Sequence, residues 1–299
     1  MAVAWTAGPA SDATQVPRGR PLNSRPLGAA GPNAAAAHGP VIVLAPAYSG
    51  ASRLRSLLDG HLDLACTSGT GILPLCEQAI AAWRSADGQA ARAPSQLAVT
   101  STRALASSII TALLAREGKW RWCEISIANT QVAETFLRVY PGTTFLCLYR
   151  ACPDVIRAAL DASPWGIAYP VFAPFTRAYP ASTAAALTAY WVAHTTSVLE
   201  FERAHPQACL RIRFEDLTAA QHETAARISS FLGFIGLEGQ VGLEGQVGLA
   251  GQAAPPEDSG TRPESGGAGP AAEFPVDLIP PAMLAQANDL LRQLGYPPL

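Results

Sequence analysis

Short apolar runs rich in β-branched and aromatic residues alternate with longer amphipathic stretches through the middle of this chain. The runs predicted as strands are Val41–Ala45, Leu62–Cys66, Trp120–Ser126, Thr143–Tyr149 and Cys209–Phe214. The stretches predicted as helices are Arg53–Gly60, Leu73–Trp83, Ser95–Arg116, Thr130–Val139, Pro153–Ala162, Thr183–Ala204 and Glu223–Leu232. Strands separated by helices indicate an α/β domain, in which a central parallel sheet of about five strands is covered by helices on both faces. Ligands of such sheets bind beyond the carboxyl ends of the strands.

The chain divides into four segments of different composition. Residues 1–38 have few large apolar side chains to offset the entropy cost of ordering, so we expect a disordered tail. Residues 39–235 carry the predicted domain. Residues 236–273 begin with three copies of a six-residue repeat, too few to stack into a β-helix, and are typical of a low-complexity insert. Residues 274–299 contain an amphipathic pattern over Pro281–Leu294, which predicts a helix that docks on the domain.

The charge balance and composition disfavour several classes of protein. Lys and Arg number 21 and Asp and Glu 23, so a net charge of −2 provides no basic field for wrapping a nucleic acid. Because the sequence has neither a run of 18 apolar residues nor a secretory signal, we expect no membrane span and a cytoplasmic location. The 6 cysteines lack metal-ligand spacing and are expected to be structural thiols.

The segment after the first predicted strand has the spacing of a phosphate-binding loop. Ala45, Gly50, Ala51 and Ser52 occupy the fixed positions of the pattern G-x-x-x-x-G-K-[ST], so an alanine replaces the lysine. The missing lysine argues against a kinase or triphosphatase, because that lysine normally reaches the transferred phosphoryl group. A donor whose transferred group carries less charge than a phosphoryl group depends less on such a lysine.

The same turn is predicted to bind an anion. A helix start provides free N–H groups and the positive end of a dipole, and the hydroxyls of Ser49 and Ser52 add further donors. The alternative is an ordinary N-cap formed by Ser52. Arg53 and Arg55 favour the anion site, because the dipole disfavours cations in the first turn of a helix unless an anion lies nearby.

A second candidate for anion binding follows the fourth predicted strand. Arg150 stands at the carboxyl end of that strand, and Pro153 and Asp154 suit the first turn of the next helix. An arginine at this edge of a sheet is suited to bind a phosphate with both of its terminal nitrogens. A surface ion pair with Asp154 is the alternative.

These motifs together resemble the sulfotransferase family. The resemblance covers nearly all of residues 40–235 and the last helix, in the family's order. The matching segments are the first strand with its Ser-Gly-x-[ST] turn, Leu57-Leu-Asp-Gly-His61, Tyr140-Pro-Gly-Thr-Thr-Phe-Leu-Cys-Leu-Tyr-Arg150 with Asp154-Val155, Arg211-Ile-Arg-Phe-Glu-Asp-Leu217, Phe231-Leu-Gly233 and Asn288-Asp-Leu-Leu-Arg-Gln-Leu-Gly-Tyr296.

The resemblance implies a P-loop-like α/β fold and a transfer reaction that needs no metal. A sulfuryl group would pass from 3′-phosphoadenosine 5′-phosphosulfate to a hydroxyl of a small-molecule acceptor. By resemblance, Ser49, Gly50, Ala51 and Ser52 cradle the 5′-phosphosulfate and Arg150 holds the 3′-phosphate. Arg53 is included among the donor-binding residues because it lies in the same turn.

Sulfuryl transfer to an alcohol benefits from a general base near the acceptor oxygen. Glu124 stands at the carboxyl end of the third predicted strand, with an ion pair to Arg121 or Arg150 as the alternative. His61 follows the first helix, as a similar histidine does in the family, with a packing role as the alternative. His194 lies on the apolar stripe of the long helix and is expected to be a core residue. Glu124 and His61 are therefore the candidate catalytic residues.

Departures from the family pattern support a second hypothesis. Tyr48 stands where the family commonly has arginine before Ser-Gly, Ile125 where a lysine is often found, and Ala158 where the family has a serine. These residues favour a catalytically inactive member that keeps the fold and acts as a nucleotide-binding or partner-binding scaffold. Arg150 and Ser52 favour the enzyme. A nucleotide kinase is a third alternative, to which the missing lysine is the main objection.

The aromatic residues after the fourth strand and its helix are predicted to form a loop that covers the site. They are Trp165, Tyr169, Phe172 and Phe175. Such a cluster suits an apolar or aromatic acceptor. The alternative is a lid packed on the core.

Overall fold

A computed structural model describes residues 39–86, 93–125, 127, 129–162, 170–234 and 276–299. The predicted tail over residues 1–38 and the predicted insert over residues 236–273 lie outside the described residues. Among the described residues, the strands β1 to β5 are Val41–Leu44, Leu64–Ser68, Arg121–Ile125, Thr144–Tyr149 and Cys209–Arg213. They form one 5-stranded sheet of order β2-β3-β1-β4-β5, in which every pair is parallel. The predicted α/β fold with a central parallel sheet is confirmed.

Helices connect the strands and cover the sheet. In chain order, α1 to α10 are Ala51–Asp59, Ile72–Ala86, Gln96–Glu117, Asn129–Val139, Cys152–Asp161, Ala173–Ala178, Thr183–Ala204, Phe214–Ala219, Gln221–Leu232 and Pro281–Gln293. Single 3₁₀ turns at Pro170–Phe172 and Val276–Leu278 precede α6 and α10.

The central strand β1 explains why the sheet is parallel and covered on both faces. Its four residues, Val41–Leu44, are all buried, and both neighbours pair with it in register, Ile42 opposite Glu124 of β3 and Phe145 of β4. A continuous apolar run with no polar face is typical of a strand buried on both sides.

Two hydrophobic clusters lie on the two faces of the sheet. On one face, α1 and α9 pack on β1, β3 and β4 through residues such as Leu54, Leu58 and Ile228. On the other face, α2, α3, α4 and α7 pack on the alternate residues of the same strands, among them Trp122 and Phe145. The helix α10 packs on α7.

Strand order places a crevice at the carboxyl ends of β1 and β4. The connection from β1 leads to β2 on one side of β1, whereas β4 and β5 lie on its other side. The loops that follow β1 and β4 therefore diverge, and in sheets of this kind ligands bind at such a point. We therefore expect the functional site at the carboxyl ends of β1 and β4.

A buried arginine at the start of β3 connects three segments at the other end of the sheet, where the amino ends of the strands lie. The Arg121 guanidinium donates to the backbone oxygens of Gly39 at 2.8 Å and Leu232 at 2.6 Å, and to the Thr144 hydroxyl at 3.1 Å. Burial lowers the pKa of Arg121 to about 10. One side chain thus joins the chain entering β1, the end of α9 and the start of β4.

The helix α3 is long and apolar enough, by length and composition, to cross a membrane. It packs on the domain through a face that includes Ala98, Val99, Ala106 and Ile110. The six cysteines are all buried and free, as expected for structural thiols.

Candidate functional site

The loop after β1 turns sharply into α1. Tyr48 has a φ of 62° and Gly50 a φ of 88°, so two of the last three residues before the helix adopt left-handed backbone conformations. Gly50 is the N-cap of α1, and no side chain caps this end. The alternative of an N-cap at Ser52 is therefore wrong, because Ser52 lies inside the first turn. The start of α1 keeps its backbone donors directed toward the carboxyl edge of the sheet.

Two polar groups in this turn are buried without a hydrogen-bond partner among the described residues. The Ser49 side chain has 0% exposure and its hydroxyl oxygen has no hydrogen-bond partner among the described residues. The Nε atom of Arg53 is likewise buried without a partner in the described part of the chain, while its Nη2 donates to Gln221 Oε1 at 3.3 Å. Buried polar groups are nearly always hydrogen-bonded, so these two groups are suited to donate hydrogen bonds to the oxygens of a ligand.

The arginine that follows β4 reaches this loop. Arg150 Nη1 donates to the backbone oxygen of Tyr48 at 3.0 Å, and Trp191 Nε1 donates to the backbone oxygen of Arg150 at 3.1 Å. The structure therefore brings Arg150 together with the turn that contains Ser49 and Gly50. Asp154, the predicted alternative partner, instead pairs with Arg157 at 3.1 Å.

Phe214, the first residue after β5, lies between the arginine and the glycine. The Arg150 guanidinium carbon lies 4.2 Å from the centre of the Phe214 ring. A Cβ added at Gly50 would overlap the same ring. The absence of a side chain at Gly50 therefore lets the aromatic ring pack directly on the loop backbone.

The C-terminal helix is linked to this edge through a carboxylate. Glu215 Oε1 accepts from the Ala151 backbone N–H at 3.4 Å, at the start of α5. Its Oε2 accepts from the Tyr296 hydroxyl at 2.7 Å, and the Arg213 guanidinium lies 4.3 Å from the centre of the Tyr296 ring. Burial and the Glu215 carboxylate raise the pKa of Tyr296, which keeps this hydroxyl a donor. Through Glu215, the backbone of Ala151 is thereby connected to Tyr296, which follows α10.

An aromatic cluster supports the loop from the other side. The Ala47 N–H donates to the Tyr190 hydroxyl at 2.7 Å, which ties α7 to the loop. The Phe172 ring lies 6.1 Å from the Tyr48 ring and 4.5 Å from the Tyr190 ring. His194 lies 4.3 Å from Tyr190, and burial lowers its pKa to about 4, so it is neutral near pH 7.

The part of the predicted aromatic loop that the structure describes belongs to this cluster. Phe172 is buried in it, and the Phe175 ring lies 5.5 Å from Tyr190. Trp165 and Tyr169 lie outside the described residues.

Glu124 lies at the carboxyl end of β3 but below the crevice. It is opposite Ile42, two residues before β1 ends, and is 1% exposed. Its Oε2 accepts from the Thr67 hydroxyl at 2.6 Å and its Oε1 from the Thr70 N–H at 3.0 Å. The carboxylate thus fastens the turn between β2 and α2. Its role as a general base stays a prediction, and an acceptor hydroxyl would have to compete with these two bonds.

The structure does not bring His61 or Arg55 to the loop. His61 follows α1, at the opposite edge of the sheet, where its ring lies 4.2 Å from Phe234 and its Nδ1 accepts from the Asp63 N–H at 3.2 Å. Arg55 pairs with Asp59 at 3.5 Å on the outer face of α1. The catalytic role predicted for His61 stays a prediction, and it would have to act from that edge.

Several site residues were missed by the sequence reasoning. Phe214 is the last residue of a predicted strand, and the rule that ligands bind at strand ends could have identified it. Tyr190 and Tyr296 carry no comparable local signal, because their partners lie 143 and 81 residues away in sequence.

The arrangement is suited to hold an anion with an aromatic neighbour. Backbone donors at the start of α1, the Ser49 hydroxyl and two guanidinium groups, those of Arg53 and Arg150, surround one turn. Arginine and helix N-termini are the groups that proteins use to bind phosphate oxygens. The Phe214 ring adds an apolar surface beside them.

One protein-family model matches most of the chain. Residues 40–235 match the family model described as the sulfotransferase family. No curated protein matches the sequence.

Solved structures with a similar fold are bacterial sulfotransferases and sulfotransferase domains. The sulfotransferase STF9 from Mycobacterium avium has 11% identity over 86% of this chain and 77% of that chain, with a TM-score of 0.50. The sulfotransferase from Alicyclobacillus acidocaldarius has 15% identity over 66% of this chain and 81% of that one, with a TM-score of 0.44. The sulfotransferase domain from the curacin biosynthetic pathway has 15% identity over 66% and 74%, with a TM-score of 0.45. At these identities the likeness concerns the fold.

Proposed function

The chain belongs to the sulfotransferase family, and from this premise we propose that it transfers a sulfuryl group from 3′-phosphoadenosine 5′-phosphosulfate to a hydroxyl of a small molecule. The reaction is balanced without a metal or redox partner. The S–O bond to the 5′-phosphate breaks, a new S–O bond forms to the acceptor oxygen, and the acceptor proton leaves. The other product is adenosine 3′,5′-bisphosphate. We place this activity in the cytoplasm.

The observation that carries the proposal is the pair of orphaned polar atoms beside the loop. The Ser49 hydroxyl and the Arg53 Nε are buried without partners among the described residues, in a turn whose backbone donors also lack side-chain caps. A phosphosulfate oxygen placed in this turn would satisfy these groups. The Phe214 ring occupies the space that a side chain at Gly50 would fill, and so it closes the turn on that side.

Arg150 supplies the second anchor. Its guanidinium is within hydrogen-bonding distance of the Tyr48 carbonyl and therefore lies beside the same turn. From this position it is suited to bind a second phosphate of the same nucleotide. In this proposal the 5′-phosphosulfate occupies the turn and the 3′-phosphate contacts Arg150.

A catalytically inactive nucleotide-binding protein is the alternative that one observation favours. The loop from Ala45 to Ser52 contains no lysine or arginine, and Tyr48 has a left-handed backbone where the family commonly has a cation. Removal of one donor aimed at developing charge typically lowers the rate about 10²- to 10³-fold. Arg53 and Arg150 are the cations that would have to stabilise the leaving phosphate in this chain.

Thermal unfolding with three ligands tests the proposal. At about 100 times Kd, adenosine 3′,5′-bisphosphate should stabilise the protein by about 2.7 kcal/mol and raise Tm by roughly 5 to 10 °C. ADP at the same concentration should give a smaller shift, because it lacks the 3′-phosphate. A shift with ATP–Mg²⁺ alone would favour a kinase and contradict the proposal.

Activity separates the enzyme from the inactive alternative. Labelled sulfate should pass from the donor to at least one hydroxyl in a panel of phenols and aliphatic alcohols. Binding of the bisphosphate without transfer to any acceptor, and without hydrolysis of the donor, would support the nucleotide-binding scaffold. A variant that combines Arg150→Gln with Ser49→Ala serves as the control that lacks both anchors.

A further inference from the structure

The strand β2 forms one edge of the sheet and has a neighbour on one side only. The backbone oxygen of Asp63, just before β2, accepts from the Arg121 N–H at 3.0 Å and therefore faces β3. Residues of a parallel strand direct their backbone groups alternately to the two sides. The N–H and C=O groups of Ala65 and Thr67 thus face β3, and those of Leu64, Cys66 and Ser68 face outward.

A lysine confirms which groups face outward. Lys119, in the turn between α3 and β3, donates from Nζ to the backbone oxygen of Leu64 at 2.8 Å and to that of Asp59 at 3.1 Å. Farther along β2, the N–H and C=O of Cys66 and the N–H of Ser68 have no hydrogen bond outside the sheet ladder within the described ranges. Three backbone groups of one strand edge are therefore available in a row.

These groups form the floor of a groove of about 410 Å³, which we call the edge groove. Its floor is residues Ala65 to Ser68 of β2, one wall is the outer face of α1, and the other is the last turn of α3 with Leu113. Unsatisfied strand edges attract other strands unless they are covered or charged. Here the edge is recessed between two helices rather than covered.

The walls of the edge groove carry an excess of positive charge. Arg55 pairs with Asp59 at 3.5 Å, and Arg116 with Glu117 at 2.9 Å. Lys119 lines the same groove, and its hydrogen bonds in the described chain go to backbone oxygens rather than to a carboxylate. A carboxylate entering at the Lys119 end would therefore meet a cation that no acidic side chain in the groove neutralises.

We propose that the edge groove binds an extended, acidic peptide segment of another protein, which adds to β2 as a sixth strand. Strand addition supplies main-chain hydrogen bonds to Cys66 and Ser68, and the groove walls select the side chains. The five residues of β2 span about 16 Å, which matches a segment of four or five extended residues. This site is separate from the nucleotide site and does not depend on the proposed reaction.

The recess argues against a second copy of this chain as the occupant. In a symmetric pair, each β2 edge would have to reach the other, but each is flanked by α1 and by the end of α3. A single extended segment can enter between the two walls, whereas another edge flanked by the same helices cannot.

Hydrogen exchange with a defined peptide tests the proposal on the full-length protein. The probe is acetyl-Glu-Val-Glu-Val-Glu-amide, compared with the peptide that has lysine for glutamate and with one N-methylated at both valines. We expect only the first to bind and to slow exchange of the Cys66 and Ser68 amides. Equal binding of the lysine peptide, or binding without protection of these two amides, would overturn the proposal.

Two variants and a matched control complete the experiment. Lys119→Gln should weaken binding of the acidic peptide about 3- to 10-fold, the effect of one partly exposed charge. Ser68→Pro removes an outward N–H without removing a ladder bond and should weaken binding as well. Arg292→Gln, an exposed arginine on α10, should bind like the wild type. A dimer in light scattering with both amides protected before peptide is added would assign the groove to a second copy and contradict the proposal.

Discussion

The Arg150 guanidinium donates a hydrogen bond to the backbone oxygen of Tyr48 at 3.0 Å, so the residue that follows β4 holds the loop that follows β1. The acceptor in this bond is a neutral backbone carbonyl, so the bond fixes the position of the guanidinium without involving a carboxylate. The same bond sets the spacing between the two anchors proposed for the nucleotide. Replacement of Arg150 should therefore weaken nucleotide binding while the protein still folds.

Replacement of Arg150 by glutamine should weaken binding of adenosine 3′,5′-bisphosphate about 10- to 100-fold, because a hydrogen bond to a charged group contributes about 1.5 to 3 kcal/mol. Isothermal titration calorimetry measures this directly. Arg157→Gln is the control, because Arg157 is exposed and pairs with Asp154 on the surface of α5. Equal losses in the two variants would mean that Arg150 acts only through the general charge of the protein.

Ser49→Ala should have opposite effects on stability and on binding. The Ser49 hydroxyl is buried without a partner among the described residues, so its removal should leave the free energy of unfolding unchanged or raise it by up to about 1 kcal/mol. Binding of the bisphosphate should weaken. Urea unfolding and calorimetry provide the two measurements.

Ser229 is the matched control for Ser49. Its hydroxyl is also buried without a partner in the described chain, but it lies in α9 away from the loop. Ser229→Ala should change stability in the same direction and leave nucleotide binding unchanged. If Ser49→Ala behaves in the same way as Ser229→Ala in both measurements, the Ser49 hydroxyl has no part in binding.

Gly50→Ala should destabilise the protein by more than the cost of its backbone conformation. A left-handed φ costs a residue with a Cβ about 1 to 2 kcal/mol, and the new Cβ would also overlap the Phe214 ring. Gly118 is a suitable control, because its φ is 64° and an added Cβ would meet nothing within 4 Å. The difference in urea unfolding between Gly50→Ala and Gly118→Ala then reports the contact with Phe214. No difference would show that the ring moves aside freely.

The sequence predicted the elements well because each rests on local patterns. The buried run at β1 and the amphipathic pattern over α10 are both contained in a few consecutive residues. The second strand was predicted at Leu62–Cys66 but lies at Leu64–Ser68. Leu62 is apolar yet 75% exposed, because the backbone turns there and the Leu64 N–H bonds the His61 oxygen. Hydrophobicity alone does not reveal such a turn.

The site could be predicted only in part, for a related reason. The turn at Ser49 and Gly50 and the arginine after β4 are local motifs, and the rule for parallel sheets places both at one edge. The partners of that turn come from residues far along the chain, such as Tyr190 and Phe214. Side-chain contacts of this kind depend on the packing of complete helices and leave no spacing in the sequence.

Glu124→Gln should lower stability more than it lowers activity. Both oxygens of the carboxylate accept hydrogen bonds inside the protein, from Thr67 and from the Thr70 backbone, and an amide accepts through one oxygen only. Loss of a charged acceptor should cost about 1.5 to 3 kcal/mol in urea unfolding. Thr67→Val removes the hydroxyl from the same network and should have a comparable effect. A fall in kcat of about 10²-fold or more with an unchanged unfolding free energy would instead establish the predicted general base.

His194 should make the folded state sensitive to acid. Its ring is 7% exposed and contacts Tyr190 and Phe175, neither of which is charged at acidic or neutral pH. Because burial lowers its pKa from 6.5 to about 4, the unfolded chain binds a proton between these values that the folded protein does not bind. The stability associated with neutral His194 is therefore complete above pH 6.5 and is lost as the pH falls toward 4.

The size of this effect follows from the difference between the two pKa values. Between pH 7.5 and 4, wild-type protein should lose about 2 to 3 kcal/mol more unfolding free energy than His194→Gln, which has no proton to bind. Carboxylates titrate in both proteins over this range, so the difference between the two urea-unfolding curves isolates the histidine. Parallel curves would show that His194 accepts its proton in the folded state as readily as in the unfolded chain.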